Sequence, residues 1–403
     1  MALMPVADAL AAVLSGAQAL PEEMVTLDLA YKRILARDLA ALRTQPPAPM
    51  SAMDGYAVRA ADVSQAGVRL KVTGEIAAGR PFNGSVGPGE AVRIFTGGVI
   101  PQGADAVVIQ EDTSIEGDGI RITEAAVLGR HIRRAGVDFR EGDVLLKAGK
   151  ELSDRDLSLA AAMNYPHVPV HRKPQVALLA TGDELVMPGE TPGPGQIVYS
   201  NGYALRALAR AEGAEVVDLG IAADTLEATQ NGIRRARDCG ADILITTGGA
   251  SVGDHDLVKA ALDAERVAMA FWRIAMRPGK PLMHGRLGDM RVIGLPGNPV
   301  SSYVCAFLFL VPLIRKLCGR LAVNHATESA LLGHAVAAND QREDYLRARL
   351  ATRDDGALIA TPVSQQDSSL LGNLAAAQAL LIRRPFAPAA DAGAICEILK
   401  LPA

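Results

Sequence analysis

The residues with the richest potential chemistry lie in a glycine-rich segment, Thr-Thr-Gly-Gly-Ala-Ser-Val-Gly-Asp-His-Asp, at residues 246–256. Its glycines allow backbone N–H groups to approach an anion closely, and its carboxylates are oxygen ligands that suit a hard cation. A tight strand-to-helix turn with an aspartate N-cap is the competing interpretation. The candidate residues here are Gly248, Gly249, Ser251, Gly253, Asp254 and Asp256.

Polar residues follow three further apolar runs. Glu184 ends a Thr-Gly-Asp-Glu sequence after one run, Asp224 follows a second, and Pro-Gly-Asn-Pro at residues 296–299 follows a third. The hydroxyl of Ser301 is then a candidate oxyanion ligand, although Pro-Gly-Asn-Pro alone favours an ordinary helix start. The candidates in these motifs are Glu184, Asp224, Pro296, Gly297, Asn298 and Ser301.

A basic segment, Phe-Trp-Arg-Ile-Ala-Met-Arg-Pro-Gly-Lys-Pro at residues 271–281, stands out in an acidic chain. Arg273, Arg277 and Lys280 are spaced so that they can line one side of an extended segment. Three such cations suit a phosphate or another tetrahedral oxyanion. A solvated strand edge is the alternative, but two prolines and a glycine disfavour a regular strand, so the segment favours a binding role.

The first half of the chain offers weaker candidates. Asp54, in Met-Ser-Ala-Met-Asp-Gly-Tyr-Ala-Val, would present one carboxylate from a loop, and Thr96 follows a β-like run in Arg-Ile-Phe-Thr-Gly-Gly. Arg133 and Asp138 belong to a charged loop. Taken alone, each motif is as well explained by a β-turn or a surface ion cluster.

The apolar runs that precede the motifs of the second half alternate with helical patterns, which is typical of a doubly wound α/β domain with a parallel sheet. Because ligands gather beyond the carboxyl ends of parallel strands, these motifs should meet at one edge of the sheet. Strands are predicted at 176–180, 215–219, 242–246 and 292–295, and helices at 200–212, 225–238, 256–262 and 299–317.

Changes in sequence texture divide the chain into four parts. Short β-like runs between glycines and prolines indicate an all-β module, and a hairpin near residues 342–363 indicates β-structure at the C-terminal end. The predicted parts are a helical, elongated region (1–44 plus 146–173), a β module (45–145), an α/β domain (174–324) and a C-terminal β domain (325–403).

The N-terminal residues predict an amphipathic helix rather than a signal peptide. No Lys or Arg precedes the apolar stretch, Asp8 interrupts it, and its larger apolar residues share one helical face. Pro21-Glu22-Glu23 is predicted to open a second helix, and Ser153 to cap a helix at 153–164. The residues on the shared face are Val6, Leu10, Val13 and Leu14.

The composition excludes several classes of function. The chain has 403 residues and a formal charge of −4, so no global basic field attracts nucleic acid or anionic lipid. Aromatic residues make up 4%, too few for a base-stacking surface. Four widely spaced cysteines disfavour zinc and disulfide frameworks and fit a reducing compartment. The apolar stretch 300–314 is short for a bilayer span and contains Pro312, so it predicts a buried helix in a soluble, cytoplasmic protein.

Taken in order, these motifs resemble the molybdopterin molybdenumtransferase family, called MoeA, which includes the E domain of gephyrin. The resemblance spans nearly the whole chain. The glycine-rich and Leu-Pro-Gly-Asn-Pro motifs also suit molybdopterin adenylyltransferases, but the Ser-Ala-Met-Asp-Gly-Tyr segment is absent from those. The segments that carry the resemblance are 51–58, 94–98, 180–185, 247–254, 277–281 and 294–301.

The resemblance implies an L-shaped homodimer with the active site between its subunits. Each subunit would contain a helical region, a β module, a molybdopterin-binding α/β domain and a C-terminal β-barrel. The implied enzyme binds adenylylated molybdopterin, accepts molybdate at the dithiolene and releases AMP with Mg²⁺. Other proteins of molybdenum cofactor biosynthesis are candidate partners, whereas nucleic acid and membrane are not expected.

The resemblance also implies roles for the candidate residues. Glu184 and Asp256 would bind Mg²⁺ near the phosphoanhydride, and Asp224 would assist. The partner subunit's β module would supply Asp54, Thr96, Arg133 and Asp138. Contacts to molybdate or the terminal phosphate would come from Arg277, Lys280, Ser301, Arg347 and Ser368, and the substrate cradle from Gly248, Gly249, Ser251, Gly253, Pro296 and Asn298.

Two departures from the family pattern bear on this assignment. Arg273 and Arg277 stand where the family often has lysine, which suits a bidentate grip on an oxyanion but puts a lysine-specific role in doubt. Gln366-Asp367-Ser368 stands where the family commonly has Gln-Gly-Ser. A carboxylate near the oxyanion pocket weakens Ser368 as a molybdate ligand.

Three other functions stay open from the sequence. A molybdopterin adenylyltransferase would share the α/β domain but would not need residues 45–145. A non-catalytic scaffold would bind other proteins, although the carboxylates at positions 54, 184 and 256 argue against a dead site. A generic Mg²⁺-dependent phosphoanhydride hydrolase would act without molybdate.

Overall fold

The structure is a computed structural model that describes residues 3–77, 79–80, 82–248 and 257–402. The first 173 residues form two α-helices and a series of short strands. These are α1 (Val6–Leu14), β1 (Glu22–Thr26), β2 (Leu39–Ala40), β3 (Met50–Ser51), β4 (Gly55–Val58), β5 (Arg69–Ile76), β6 (Glu90–Ile94), β7 (Ala106–Ile109), β8 (Thr113–Glu116), β9 (Gly119–Ile122), β10 (Ile132–Arg133), β11 (Val144–Leu146), α2 (Asp154–Ala162) and β12 (His167–His171).

The region before residue 45 is more extended than the sequence predicts. The helix expected at Pro21-Glu22-Glu23 is wrong, because β1 pairs antiparallel with β12 and Val25 lies opposite Val168. The next residues, Met24-Val25-Thr26, include two β-branched side chains, which favour a pleated strand next to a partner. Long-range pairing with β12 therefore outweighs a helix start.

The other two predicted helices of this half form. α1 buries Ala9 and Val13 against the core of the α/β domain. α2 begins at a capping box, as predicted from Ser153. The Ser153 side chain accepts a hydrogen bond from the Asp156 backbone N–H, and the Asp156 carboxylate accepts one from the Ser153 N–H at 2.9 Å.

Residues 50–132 contain a six-stranded sheet in the order β7-β4-β6-β5-β9-β8, in which only the β5–β6 pair is parallel. Two apolar clusters cover its faces, one around Leu70 and Val108 and the other around Ile76 and Val92. β4 begins directly after Asp54, and β6 ends two residues before Thr96. Since β4 and β6 are neighbours, the sheet brings these two residues to the same edge.

The second half contains the α/β domain and the C-terminal β domain. The elements up to residue 317 are β13 (Gln175–Thr181), β14 (Leu185–Val186), β15 (Ile197–Val198), α3 (Asn201–Ala211), β16 (Glu215–Ala222), α4 (Leu226–Asp238), β17 (Ile243–Thr247), α5 (Leu257–Ala264), β18 (Ala268–Phe271), β19 (Met276–Arg277), β20 (Met283–Leu287), β21 (Met290–Leu295), α6 (Pro299–Cys305) and α7 (Val311–Leu317). The remaining elements are β22 (Glu328–Leu332), β23 (Glu343–Thr352), β24 (Leu358–Pro362), α8 (Leu371–Ala375), β25 (Ala379–Arg383) and β26 (Ile395–Lys400).

The α/β sheet has the order β16-β13-β17-β21-β20-β18. The first four strands are parallel, as predicted, and successive residues alternate between two cores. Leu178 faces the core with α3, α6 and α7, whereas Leu179 faces the core with α4 and α5. The expectation of a purely parallel sheet is wrong at one edge, where β20 and β18 run antiparallel. A short connection, Gly288-Asp289, joins β20 to β21, and this allows an antiparallel neighbour.

The apolar helix predicted at 299–317 is confirmed as a core helix. Its length and composition would suffice to cross a membrane, but 83% of its most apolar window is buried inside the chain. A π-helical stretch, Ala306–Leu310, lies between α6 and α7. Pro312, the second residue of α7, lacks a backbone N–H, which accounts for a local change in helical hydrogen bonding.

Residues 328–400 form a closed five-stranded β-barrel, β23-β24-β22-β26-β25, in which β25 pairs back onto β23. The predicted hairpin is β23–β24. Leu346 and Ala348 of β23 belong to the barrel's own core, and Tyr345 belongs to the core of the α/β domain. Arg347, two residues after Tyr345, shares its face of the strand and therefore faces the α/β domain.

Candidate active site

Three parallel strands of the α/β sheet end side by side, at Thr181, Thr247 and Leu295. Gly248 has φ +90°, and a side chain on it would collide with the Thr181 carbonyl oxygen, so only glycine fits there. Its Cα lies 3.8 Å from the position of a Cβ on Gly297. The predicted meeting of these loops at one sheet edge is therefore correct, and it exposes closely spaced backbone to a ligand.

The carboxylates after the first two strands differ in their partners. Asp224 accepts a hydrogen bond from the Asp183 N–H at 3.2 Å, and its own N–H donates to the Asp183 carboxylate at 3.0 Å. This reciprocal pair fixes the two loops to each other. The Glu184 carboxylate folds back over Gly182, and no described residue forms a hydrogen bond or ion pair with it. Glu184 is thus the carboxylate that remains able to bind a cation.

Part of the predicted site lies outside the described residues, in the glycine-rich segment. Among the residues that the structure describes, no group of three or more His, Cys, Asp and Glu side chains could bind a metal ion. Mg²⁺ commonly takes only one or two protein carboxylates, with substrate phosphates and water completing its shell. Glu184 fits that mode. The predicted residues outside the described part are Gly249, Ser251, Gly253, Asp254 and Asp256.

The Pro-Gly-Asn-Pro turn joins the sheet edge to the β-barrel. Pro299 occupies the first turn of α6, as predicted, but the Asn298 amide does not cap the helix. It donates instead to the Ser368 hydroxyl at 2.9 Å, while the Val300 N–H donates to the Ser368 carbonyl at 3.0 Å. Asn201 donates to the Gly297 carbonyl at 2.7 Å, which holds the turn against α3. Pro296 begins this turn, and Ser301 follows it with 6% of its surface exposed.

Arg347 is the most deeply buried cation near this turn, with 1% of its surface exposed. Its Nη2 donates to the Asp367 carbonyl at 3.0 Å, while its Nε is buried without a partner. No carboxylate among the described residues forms an ion pair with it, and burial lowers the pKa of its guanidinium. The Asp367 carboxylate instead accepts from the Ser369 hydroxyl and backbone, and the hydroxyl lowers the pKa of Asp367. The Asp367 carboxylate is thus bound by Ser369 and does not pair with Arg347.

The three cations of the basic segment have unequal surroundings. Arg277 pairs with Asp344 and lies 3.6 Å from Asp340, and the hydrogen bond with Asp344 raises the pKa of Arg277. Its charge is therefore offset by the barrel. Lys280 and Arg273 are exposed, and neither forms an ion pair with another described residue.

The loop that carries Lys280 packs on α6. The Cys305 thiol contacts the Gly279 carbonyl oxygen at 3.6 Å, and Ser301 lies one helical turn before Cys305 on the same face of the helix. The loop that carries Lys280 therefore packs on α6 one helical turn after Ser301, and Ser301 itself lies at the start of the helix. This start also bears Asn298 and its contact to the barrel.

The candidates of the β module form a second group. The Asp54 carboxylate accepts from the Thr96 N–H at 2.7 Å and the Thr96 hydroxyl at 2.8 Å, and this N–H lowers the pKa of Asp54. Arg133 lies opposite Met50, and the Asp138 N–H donates to the Gln45 carbonyl. Asp54 and Thr96 therefore contact each other, and Arg133 and Asp138 lie beside other residues of the same segment, 45–54.

The two groups of candidates are not joined within one chain. In the described part of the chain, residues 50–133 form hydrogen bonds, ion pairs and apolar clusters only with one another and with Pro49. The candidates at the edge of the α/β sheet contact other elements instead: Gly297 accepts from Asn201 of α3, and Asn298 donates to Ser368 of the barrel. A site that uses both groups therefore needs contacts other than those described within one chain.

Comparison with known proteins gives the chain its family. Family models match three consecutive stretches: the MoeA N-terminal region (domain I and II) at residues 4–164, a probable molybdopterin binding domain at 177–316, and the MoeA C-terminal region (domain IV) at 329–401. A molybdopterin molybdenumtransferase of Haemophilus influenzae is 41% identical over 300 residues, which cover 74% of this chain and 73% of that relative. The chain belongs to the molybdopterin molybdenumtransferase family.

Other members of the molybdopterin molybdenumtransferase family agree over greater lengths. The Bacillus subtilis relative is 35% identical over 387 residues, covering 94% of this chain and 90% of its own. The crystal structure of a molybdopterin biosynthesis MoeA protein from Pyrococcus horikosii superimposes with a TM-score of 0.87 at 31% identity, with full coverage of both chains. The resemblance and fold class expected from the motifs are confirmed. The chain is an enzyme of a transferase family with a role in molybdenum cofactor biosynthesis.

Some residues of this region escape sequence reasoning. Asn201 suggests only a helix cap, yet its amide holds the Gly297 turn. Asp344 lies in an ordinary-looking strand, yet it is 4% exposed and binds Arg277. No sequence signal identifies Asp344, because its strand carries other charged residues and the burial of this acid is seen only in the structure.

Proposed function

We propose that the chain is a molybdenum insertase, which inserts molybdate into the dithiolene of adenylylated molybdopterin and releases AMP. The observation that most supports this function is the buried guanidinium of Arg347, which forms no ion pair with a described carboxylate. A buried cation without a carboxylate is costly until an anion binds beside it, and molybdate is a tetrahedral dianion. The family's role in molybdenum cofactor biosynthesis supports the same substrate class.

The proposed molybdate pocket lies where the sheet edge meets the barrel. Arg347 and Lys280 supply positive charge, and the hydroxyls of Ser301 and Ser368 supply hydrogen bonds. Asn298 fixes Ser368 through its 2.9 Å hydrogen bond. Arg277 contributes position more than charge in this scheme, because Asp344 already offsets its guanidinium.

The diphosphate link of the substrate would lie along the glycine-lined part of the same edge. Gly248 and Gly297 allow close approach of backbone N–H groups, and this contact needs no charged side chain. Glu184 and Asp256 would bind Mg²⁺, which when bound would offset charge on the phosphoanhydride. Glu184 suits this role because its carboxylate has no other partner among the described residues. Asp224 would keep the Glu184 loop in place, and Arg273 and Asp254 would flank the substrate.

The β-module group would complete this cleft from a second copy of the chain. Asp54, Thr96, Arg133 and Asp138 form one group, and the contacts of the described residues do not connect it to the sheet edge of its own chain. A homodimer in which each β module reaches the partner's sheet edge would unite the two groups. This arrangement agrees with the homodimer that the family resemblance implies.

The test of the proposal is AMP release from adenylylated molybdopterin with Mg²⁺, measured with and without molybdate. We expect release that depends on molybdate in the wild type and falls about 100-fold in Lys280→Gln, because one donor to a charged oxyanion is lost. Lys316→Gln removes an equal charge from the exposed side of α7 and should leave the rate unchanged.

Three results would contradict the proposal and identify its rivals. Release that is indifferent to molybdate indicates a phosphoanhydride hydrolase. Adenylylation of molybdopterin with ATP as the only productive reaction indicates an adenylyltransferase. No release of AMP by a folded dimer, whatever the conditions, indicates a scaffold.

A further inference from the structure

A cavity lies at the amino-terminal edge of the α/β sheet, opposite the proposed active site. It has a volume of about 200 Å³ and is lined by side chains from residues 31–34, 171, 173, 210–213, 318 and 320. Lys173 lies just before β13, whereas Thr181 at the active-site edge ends that strand. A seven-residue strand spans roughly 20 Å, so the cavity and the active site are separate.

The residues that line this cavity are strongly basic in composition, although the protein as a whole is acidic. Five cations contribute, against the single carboxylate of Glu212. The cations are Lys32, Arg33, Lys173, Arg210 and Arg320.

Acidic partners account for only two of these cations. Arg33 pairs with Glu23 at the rim, and Arg320 pairs with Glu212 at 3.0 Å and Glu151 at 2.9 Å. Glu212 is further neutralised by Arg315, at 2.7 Å. The remaining three, Lys32, Lys173 and Arg210, form no ion pair within the described part of the chain. The cavity therefore carries positive charge that the protein itself does not offset.

The arginines of the cavity are held in place by other contacts. The Arg33 side chain is nine-tenths buried, and its guanidinium donates to the His171 carbonyl at 2.8 Å. The Nε of Arg320 is buried and lacks a hydrogen-bond partner among the described residues. Lys32 has a left-handed backbone with φ +60°, which the hydrogen bond from its N–H to the Leu152 carbonyl stabilises at 2.9 Å. Lysine seldom adopts this conformation, and the Lys32 Nζ lies 5.6 Å from the ring centre of Tyr31, another lining residue.

We propose that this cavity binds a small tetrahedral oxyanion with two negative charges, such as inorganic phosphate or molybdate. Its volume of about 200 Å³ is below the roughly 300 Å³ at which pockets begin to accept drug-sized molecules, so it suits a compact anion better than a nucleotide or a pterin. Several cations around a small volume suit a compact dianion, and a guanidinium N–H without a partner suits its oxygen atoms. The inference rests on the cavity alone and is independent of the proposed reaction.

The test is calorimetric titration of the full chain with inorganic phosphate at constant ionic strength. All chains carry Lys280→Gln, which weakens anion binding at the active site. The cavity variant adds Lys173→Gln and Arg210→Gln, two side chains without acidic partners among the described residues. The charge-matched control adds Arg155→Gln and Arg349→Gln, at exposed positions on α2 and β23.

We expect one phosphate site per chain that the control retains and the cavity variant weakens at least about tenfold. Phosphate should also raise the melting temperature of the control but not of the cavity variant, because only a folded chain that binds phosphate is stabilised by it. A parallel titration with molybdate distinguishes the two sources: the tighter anion is the natural occupant. Equal phosphate affinity in the cavity variant and the control, or no binding of either anion at millimolar concentration, would overturn the inference.

Discussion

At the scale of single residues, the most informative feature is a charge without a counter-charge. Arg347 lies between the barrel and the α/β domain with 1% of its surface exposed, and no described carboxylate pairs with it. Removing a buried charge that has no partner should cost little stability, because the desolvation penalty disappears with the charge. Substitution of Arg347 therefore distinguishes a structural role, which would change stability, from a binding role, which would change affinity for the anion.

The variant Arg347→Met keeps most of the side-chain volume and removes the charge. We expect the KM for molybdate to rise about 100-fold while the free energy of unfolding changes by less than about 1 kcal/mol. Steady-state AMP release at varied molybdate and urea unfolding measure the two quantities. Arg349→Met, on the exposed part of the same strand, is the matched control. A large loss of stability with an unchanged KM would show that Arg347 is structural.

A buried histidine predicts how stability depends on pH. His284 is 2% exposed, and burial lowers its pKa to about 4. The unfolded chain takes up a proton near pH 6.5 while the native His284 stays neutral, so the free energy of unfolding falls as pH drops from 6.5 to 4. The expected loss from this residue is about 3 kcal/mol.

Urea unfolding between pH 4 and 8 tests this prediction. His284→Asn can still donate a hydrogen bond to the Val292 carbonyl but does not titrate, so its stability should fall less steeply below pH 6.5. His167→Asn, at an exposed position, should behave as the wild type. Identical pH dependence in wild type and His284→Asn would rule out this histidine as the source.

At the scale of elements, local signals were sufficient wherever a local interaction decides the structure. Ser153 and Asp156 form the capping box that the sequence around residue 153 indicates. We predict that Ser153→Ala lowers the free energy of unfolding by about 1 kcal/mol, because two backbone N–H groups lose part of their capping. Ser158→Ala, exposed on the same helix, should change it by less than about 0.5 kcal/mol. Equal effects in thermal or urea unfolding would exclude the cap as the cause.

Elements that depend on distant partners were predicted less well. Glu22–Thr26 forms a strand only because His167–His171 lies beside it, a partner about 145 positions away that no local pattern reveals. The antiparallel edge strands β18 and β20 were missed for the same reason. By contrast, the sequence predicts the parallel strands correctly, because a strand buried on both faces is a continuous apolar run.

The candidate site shows the same division. The sequence alone predicts that Gly248 and Gly297 meet, because parallel strands bring their carboxyl ends to one edge. It does not predict that Asp344 offsets the charge of Arg277, or that Asn298 turns from its helix to Ser368. These pairings join residues more than 60 positions apart. They follow from how the barrel packs on the sheet, which local patterns do not encode.

At the scale of the whole molecule, the proposed function needs two groups of residues that contacts within the described chain do not join. Asp54 and Thr96 lie at the edge of the β-module sheet, and Lys280 and Arg347 lie where the α/β domain meets the barrel. The proposal that a homodimer unites them makes a prediction about mixed dimers. A chain with a defective β module should be rescued by a chain with a defective sheet edge.

Complementation between Asp54→Asn and Lys280→Gln tests this central claim most directly. Each variant alone should release little AMP in the presence of molybdate. After the two are mixed and allowed to exchange subunits, half of the dimers are mixed, and each mixed dimer has one site with both intact residues. We predict recovery of about one quarter of the wild-type rate of molybdate-dependent AMP release. No recovery, with subunit exchange confirmed by mass spectrometry, would contradict an active site shared between two chains.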